Sequence, residues 1–214
     1  GALNIQGTST RDVSLGSDTN PQSIFIEGSN GNVGIGTTTP QKKVHIEGPG
    51  GASASQLLVT GASDTVGSTA GILLRAEGGE GDSALRAKGG IFFEREAGSF
   101  GTGKMHLAVN GAQSNVSVTL AEAALTIDDG RNVGIGTTSP DRPLSVVGGN
   151  SMVARFQSTN TTSFIQFSNT VSTADQIRIG SNGTNLVLST NYAERMRINS
   201  TGNSRWCKLH WVTI

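Results

Sequence analysis

Three histidines, His45, His106 and His210, are the side chains best suited to ligate a metal or move a proton. They lie far apart in sequence and lack the close pairing that metal-ligand motifs show. His45 and His106 alternate with apolar neighbours, so polar faces of strands are their expected place. Asp128-Asp129-Gly130-Arg131-Asn132 is rich in oxygen ligands, but the twelve-residue calcium-loop pattern is missing. These residue types favour a turn there. Acidic groups at Glu77, Glu80 and Asp82, and at Glu94 and Glu96, could supply the carboxylate pair of a glycosidase. No fixed separation links them, and solvated loop charges are the simpler expectation.

Phosphate chemistry fares no better. Gly34-Ile35-Gly36 lacks a third glycine and runs into Pro40 instead of a helix. Gly101-Thr102-Gly103-Lys104 lacks the frame of a phosphate-binding loop. Asn-x-Ser/Thr triplets at Asn115, Asn160, Asn182 and Asn199 are what chance gives in so Ser/Thr-rich a chain. The single cysteine, Cys207, excludes an intrachain disulfide and a Cys-rich zinc site. No catalytic constellation, cofactor site or metal site is expected.

Composition points the same way. Hydrophobic residues make up 35% of the 214 residues and aromatic ones 5%, against 30 glycines. A large compact core would be hard to fill with these, whereas thin cores repeated along an axis would not. Sixteen basic and sixteen acidic residues cancel, so bulk charge draws the chain to neither nucleic acid nor an anionic membrane. No apolar run approaches the ~20 residues of a membrane-spanning helix, so no membrane insertion is expected. The start, Gly1-Ala2-Leu3-Asn4, has none of the features of a signal peptide and reads as internal to a longer chain.

One unit repeats. Residues 31–48 read GNVGIGTTTPQKKVHIEG and residues 131–148 read RNVGIGTTSPDRPLSVVG, with nine identities in 18 positions at an offset of 100. The shared core is Asn32, Val33, Gly34, Ile35, Gly36 and Pro40 against Asn132, Val133, Gly134, Ile135, Gly136 and Pro140. Ile24-Phe25-Ile26 precedes the first copy and Leu125-Thr126-Ile127 the second. Met196-Arg197-Ile198 leads to Gly202-Asn203, where a third copy should begin, at an offset of 71 from the second. A constant junction with a variable insert is a modular chain, unlike a solenoid of fixed period. The expected units are 1–30, the end of a preceding module; 31–130, connector plus long module; 131–203, connector plus short module; and 204–214. That last stretch abandons the pattern at Ser204 and carries Trp206, Cys207 and Trp211. It is compatible with a terminal cap and equally with a change of reading frame.

These junctions sit among strand signals. Period-two alternation marks Lys43–Ile46, Lys104–Val109, Asn115–Leu120, Gln176–Ile179 and Tyr192–Ile198. Short apolar runs at Gln56–Val59, Ile72–Leu74, Ile91–Phe93 and Phe164–Phe167 read as further strands. Val44 with Ile46 matches Leu144 with Val146, so both copies should bury the same face. Ala121–Leu125 has helix-forming composition, but its match to Ala193–Met196 makes it the lead into a strand. Within the connector the glycines permit backbone conformations or close approach that a Cβ would block. Thr37-Thr38 and Thr137-Thr138 suit an extended strand, and Pro40 and Pro140 should end it. Three chains about an axis would use this well, with Val33 and Ile35 inward and glycine where backbones approach.

The Asn-Val-Gly-Ile-Gly-Thr-Thr-x-Pro unit, with Glu194-Arg195-Met196-Arg197-Ile198 before the third copy and Leu144-Ser145-Val146 after the second, resembles the repeat modules of bacteriophage tail fibres. Such modules often stand upstream of a self-cleaving chaperone domain of the endosialidase type. The resemblance covers most of residues 23–203; the connector is specific and the strands between are generic. It implies an all-β fold: an elongated, modular, intertwined homotrimeric β-fibre with a β-prism or triple-β-helix-like shaft. It also implies a virion location, other fibre proteins as partners and contact with a host surface glycan or protein. No chaperone domain and no Ser–Lys self-cleavage centre is recognisable after residue 203. Two alternatives stand beside this expectation: a tailspike-like glycan depolymerase, and a bacterial surface adhesin or filament subunit. The segment 49–124 is the more specialised insert, with Phe92, Phe93 and Phe100 in Ile91–Phe100, and core packing is the simpler role for them.

Overall fold

The computed structural model describes residues 13–17, 20–48, 57–61, 63–76, 86–97, 101–168, 177–191 and 193–206. It is all-β, with three separate open sheets of four, six and five strands. The first sheet holds β1 (Val13–Ser17), β2 (Asn20–Ile26), β3 (Val33–Ile35) and β4 (Val44–Ile46) in sequence order. The second holds β5 (Thr69–Leu74), β6 (Gly89–Ala97), β7 (Thr102–Val109), β8 (Ala123–Ile127), β9 (Val133–Ile135) and β10 (Leu144–Val146). The third holds β11 (Thr162–Phe167), β12 (Ile177–Asn182), β13 (Asn185–Thr190), β14 (Ala193–Ile198) and β15 (Ser204–Trp206). Neighbours in sequence pair antiparallel throughout, except β3 with β4 and β9 with β10, which are parallel.

The second and third sheets share an irregularity. Leu107 pairs with Leu125 but Ala108 with Ala123, leaving Ala124 as the extra residue of a bulge. Leu188 pairs with Met196 but Ser189 with Glu194, leaving Arg195 extra at the same offset of 71. The helix-like composition at Ala121–Leu125 resolves into the 3-10 turn Leu120–Glu122 followed directly by β8. Thr119 caps that turn, accepting from the Ala121 N–H at 3.2 Å while Glu122 accepts from the Thr119 N–H at 2.8 Å.

Two strand expectations are corrected. Asn115–Leu120 is not a strand; it runs beside residues 86–88 and makes single ties, such as the Val118 N–H to the Ala87 carbonyl at 2.7 Å, before Leu120 opens the 3-10 turn. Leu57–Val59 is likewise unpaired and exposed. Alternation alone cannot supply the neighbouring strand that a ladder needs. The calls on Gln56, Gln176 and Tyr192 lie outside the described residues.

The core is thin and sits on an unexpected side. Along β7 the exposure alternates: Met105 42%, His106 1%, Leu107 44%, Ala108 2%, Val109 65%. Small and polar side chains lie on the covered side, where Val118 packs against Gly90, and large aliphatic ones point outward. Val44 and Leu144 do share a face, as the repeat implied, but that face is exposed in the single chain rather than buried.

Candidate functional site

The connector is the feature most specific to this chain, and its three copies begin with one turn. The Asp128 N–H donates to the Asn132 carbonyl at 3.1 Å, and the Arg131 N–H donates to the Asp128 carbonyl at 3.0 Å. Asn199 with Asn203 and Gly202 repeats both bonds at 3.0 Å, and Glu27 with Asn32 and Gly31 repeats them at 2.9 and 2.8 Å. The residue before the asparagine is left-handed each time: Gly31 at φ 66°, Arg131 at 65°, Gly202 at 84°. A side-chain oxygen seals each turn by accepting the asparagine N–H: Asn30 Oδ1, Asp128 Oδ1 and Asn199 Oδ1. The Asp128–Asn132 run is therefore a turn, as its composition suggested.

After β3 and β9 the chain folds back within itself. Residues 136–143 are all that separate β9 from its parallel partner β10, fewer than the dozen or so usual for a parallel connection. The Gly136 N–H donates to the Ala124 carbonyl at 3.0 Å and the Val147 N–H to the Ile135 carbonyl at 2.9 Å. Gly36 and Ser23, and Glu47 and Ile35, repeat these bonds at 3.2 and 2.8 Å. A Cβ on Gly134 would lie 2.5 Å from the Thr137 carbonyl oxygen, and one on Gly34 would strike the Thr37 carbonyl. Gly36 and Gly136 have φ of 77° and 71°, and a Cβ on them would strike the carbonyls of Glu47 and Val147. Glycine does permit a close approach, and the backbone that approaches here is the chain's own. Thr37 and Thr38 lie in this return loop and do not extend the strand; the Thr37 hydroxyl accepts the Thr39 N–H at 3.4 Å. Pro40 and Pro140 are buried within this loop, and since β3 and β9 stop at Ile35 and Ile135 the prolines do not end them. By hydrogen bonding, each connector adds the last strand or strands to the edge of the sheet that precedes it.

The third copy keeps the turn and the strand but changes the residues. Ile198, Arg197 and Met196 pair with Ser204, Arg205 and Trp206, just as Ile127, Thr126 and Leu125 pair with Val133, Gly134 and Ile135. Arg205 therefore occupies the place of Gly34 and Gly134. A side chain there would collide with a return loop built like the other two. Cys207, His210 and Trp211 lie outside the described residues.

Among the described residues, the second sheet contains a buried polar relay with the elements of an active centre. His106 Nδ1 lies 3.0 Å from Thr126 Oγ1, and His106 Nε2 lies 3.1 Å from Glu94 Oε2. A hydroxyl, an imidazole and a carboxylate in a line have the connectivity of a nucleophile, base and acid. Thr126 is fully buried, however, so its hydroxyl meets no substrate in this conformation. With the Thr126 hydroxyl donating to Nδ1 and Nε2–H donating to Glu94, both ring nitrogens of the buried imidazole have a partner, which ties three strands together. His106 is thus not on a solvated face, and Glu94 is not a free loop charge; Glu96 in turn pairs with Lys104 at 2.5 Å. Sequence reading passed over Thr126. The available signal was its alignment with Phe25, because both stand opposite a connector glycine. A small hydroxyl in place of that ring leaves room for His106.

Other candidate residues are dispersed. Phe92 packs over Gly71 and Gly90 on the covered side, while Phe93 points to the exposed side; Phe100, Glu77, Glu80 and Asp82 lie outside the described residues. His45 stands opposite Gly34 in the first sheet. Gly101 is a left-handed turn residue, and a Cβ on Gly103 would strike the Glu94 carbonyl, so both are structural glycines. No group of three potential metal-ligating side chains occurs among the described residues. In the third sheet, Arg197 grips Glu194 through two bonds, Nε to Oε1 at 2.7 Å and Nη2 to Oε2 at 2.5 Å. These bonds hold the Glu194 carboxyl below its ordinary range.

No protein-family model matches the chain, and no curated protein matches it.

Proposed function

We propose that this chain is a structural segment of a virion tail fibre, a homotrimer that gives reach and stiffness for attachment to a host surface. The observation that carries the reading is the connector. It recurs in sequence and in hydrogen bonding while the strands between its copies change in number. A device that adds the last strands to one sheet and releases the chain to start another suits a shaft assembled from unlike modules. Its residues Asn32 to Pro40 and Asn132 to Pro140 are spent on backbone geometry, which leaves no chemistry for them to perform. Other fibre proteins at its ends and a host glycan or protein are the partners this role requires. Light scattering on the purified chain tests the assembly: three chain masses are expected, and a stable monomer at all concentrations overturns it. Electron microscopy of the intact particle, with this segment labelled, tests its place on the virion.

A further inference from the structure

We propose that Arg205 and Arg197, opposite each other on β15 and β14, form a binding site for a phosphate or sulfate group. The site belongs to the third sheet alone and requires no particular assembly of chains. The two arginines pair directly across the ladder. Like charges so placed are destabilising, because their Cβ atoms lie only about 5 Å apart. Neither charge occurs in the other copies, where Thr126 stands opposite Gly134 and Phe25 opposite Gly34. Glu194 is new to the third sheet as well, replacing Ala123 at the offset of 71.

Glu194 answers one arginine and not the other. Arg197 grips it through both carboxylate oxygens. Arg205 acts on the same carboxyl by its charge, which puts it within electrostatic reach of the pair. Arg205 is exposed, and no described residue accepts a hydrogen bond or an ion pair from its side chain. The register extends this imbalance across the sheet. One row runs Phe164, Gly180, Val187, Arg197 and Arg205. The next, on the same face, runs Gln166, Arg178, Ser189 and Glu194. Arg178 lies over the Phe164 ring, 4.8 Å from its centre. Three arginines in these two rows thus face a single carboxylate.

In the second sheet this is the side on which the return loop folds, since a Cβ on Gly134 would point at Thr137. Arg205 stands in that place in the third sheet, where its guanidinium meets solvent. A guanidinium offers its N–H donors as a planar fork that matches two oxygens of one anion. One fork saturates a carboxylate, whereas a tetrahedral phosphate or sulfate keeps further oxygens to face the second cation. Such an anion, seated on Arg205 and facing Arg197, offsets the repulsion that Glu194 leaves.

Titration calorimetry of the whole chain with sodium phosphate and with sodium sulfate, each against sodium chloride at matched ionic strength, tests the site. A single anion per chain is expected, and the tighter of the two names the group. Arg205→Gln should weaken binding on the order of tenfold, the scale of a charge-assisted hydrogen bond. Arg205→Lys, which keeps the charge and loses the fork, should fall between. Glu194→Gln should strengthen binding by removing the competing carboxylate. Arg142→Gln, at an exposed arginine beside Asp141, should change nothing. Phosphate should also raise the melting temperature of the wild type and leave that of Arg205→Gln in place. Circular dichroism shows whether each variant is folded. A wild-type chain that prefers neither anion to chloride overturns the proposal. A folded Arg205→Gln chain that binds like the wild type overturns it too. Equal weakening by Arg142→Gln overturns it by revealing a general attraction to positive charge. If Arg205→Gln does not fold, Glu194→Gln decides: binding unchanged or weakened there overturns the site.

Discussion

Gly134 lies against the carbonyl of Thr137, three residues on in its own chain, so closely that a Cβ would stand 2.5 Å from the oxygen. This contact lets eight residues carry the chain from β9 back to a parallel β10. Gly134→Ala must push the loop away or distort the strand, at a cost on the order of 3 kcal/mol. Thermal unfolding should show the loss, and Gly111→Ala, where a Cβ meets nothing within 4 Å, should not.

Arg205 at the equivalent place makes a related prediction. Gly134→Arg should leave β8 and β9 paired, as β14 and β15 are, but release β10. Amide exchange at Val146 and Val147 would then rise while exchange at Leu125 and Ile127 stays slow. Retained protection at Val147, whose N–H bonds to Ile135, would refute the steric account.

Arg131 adopts φ 65° where the other two copies have glycine. Left-handed backbone costs an ordinary residue about 1–2 kcal/mol, partly offset by the greater freedom glycine loses on folding. Arg131→Gly is therefore expected to stabilise the chain by about 1 kcal/mol, net of these two effects. A lowered melting temperature would show that the Arg131 side chain contributes more than its backbone strain removes.

Thr126→Val keeps the shape at the centre of the second sheet but leaves His106 Nδ1 buried without a partner. The expected cost is about 1–3 kcal/mol, read by chemical denaturation. A Thr126→Ser variant, which keeps the hydroxyl, should lose less.

Among the described residues, two carboxylates are held below their ordinary range and contribute to the acid response. The Thr119 backbone N–H and then its hydroxyl hold Glu122 low, and the Arg197 side chain holds Glu194 low, both from an ordinary value of 4.5. A depressed folded-state value means the stabilisation is complete above 4.5 and fades as pH falls through the lower folded values. Melting temperature should therefore decline below 4.5, and Glu194→Gln should flatten that decline. An unchanged acid profile in Glu194→Gln would remove this pair from the account.

Much of the fold was legible locally. Alternation located β4, β7, β12 and β14, and short apolar runs located β5, β6 and β11, because each carries the period of its pleat. The connector's glycines announced tight backbone geometry. The relay was not legible, because Glu94, His106 and Thr126 sit on three strands and become neighbours only through register.

Sequence by itself determined the modular plan, the strand-rich content and the residues of the turn-and-return connector, since these depend on local backbone preferences. Only the tertiary structure decided which face of each sheet is covered. Period two separates His106 and Ala108 from Leu107 and Val109, but it carries no sign. Tertiary packing supplies that sign: Val118 lies against Gly90 on the side of His106 and Ala108, and the aliphatic side faces outward. It likewise decided that the connector glycines serve a crossing within one chain, because the oxygen each would strike becomes a neighbour only when the loop closes.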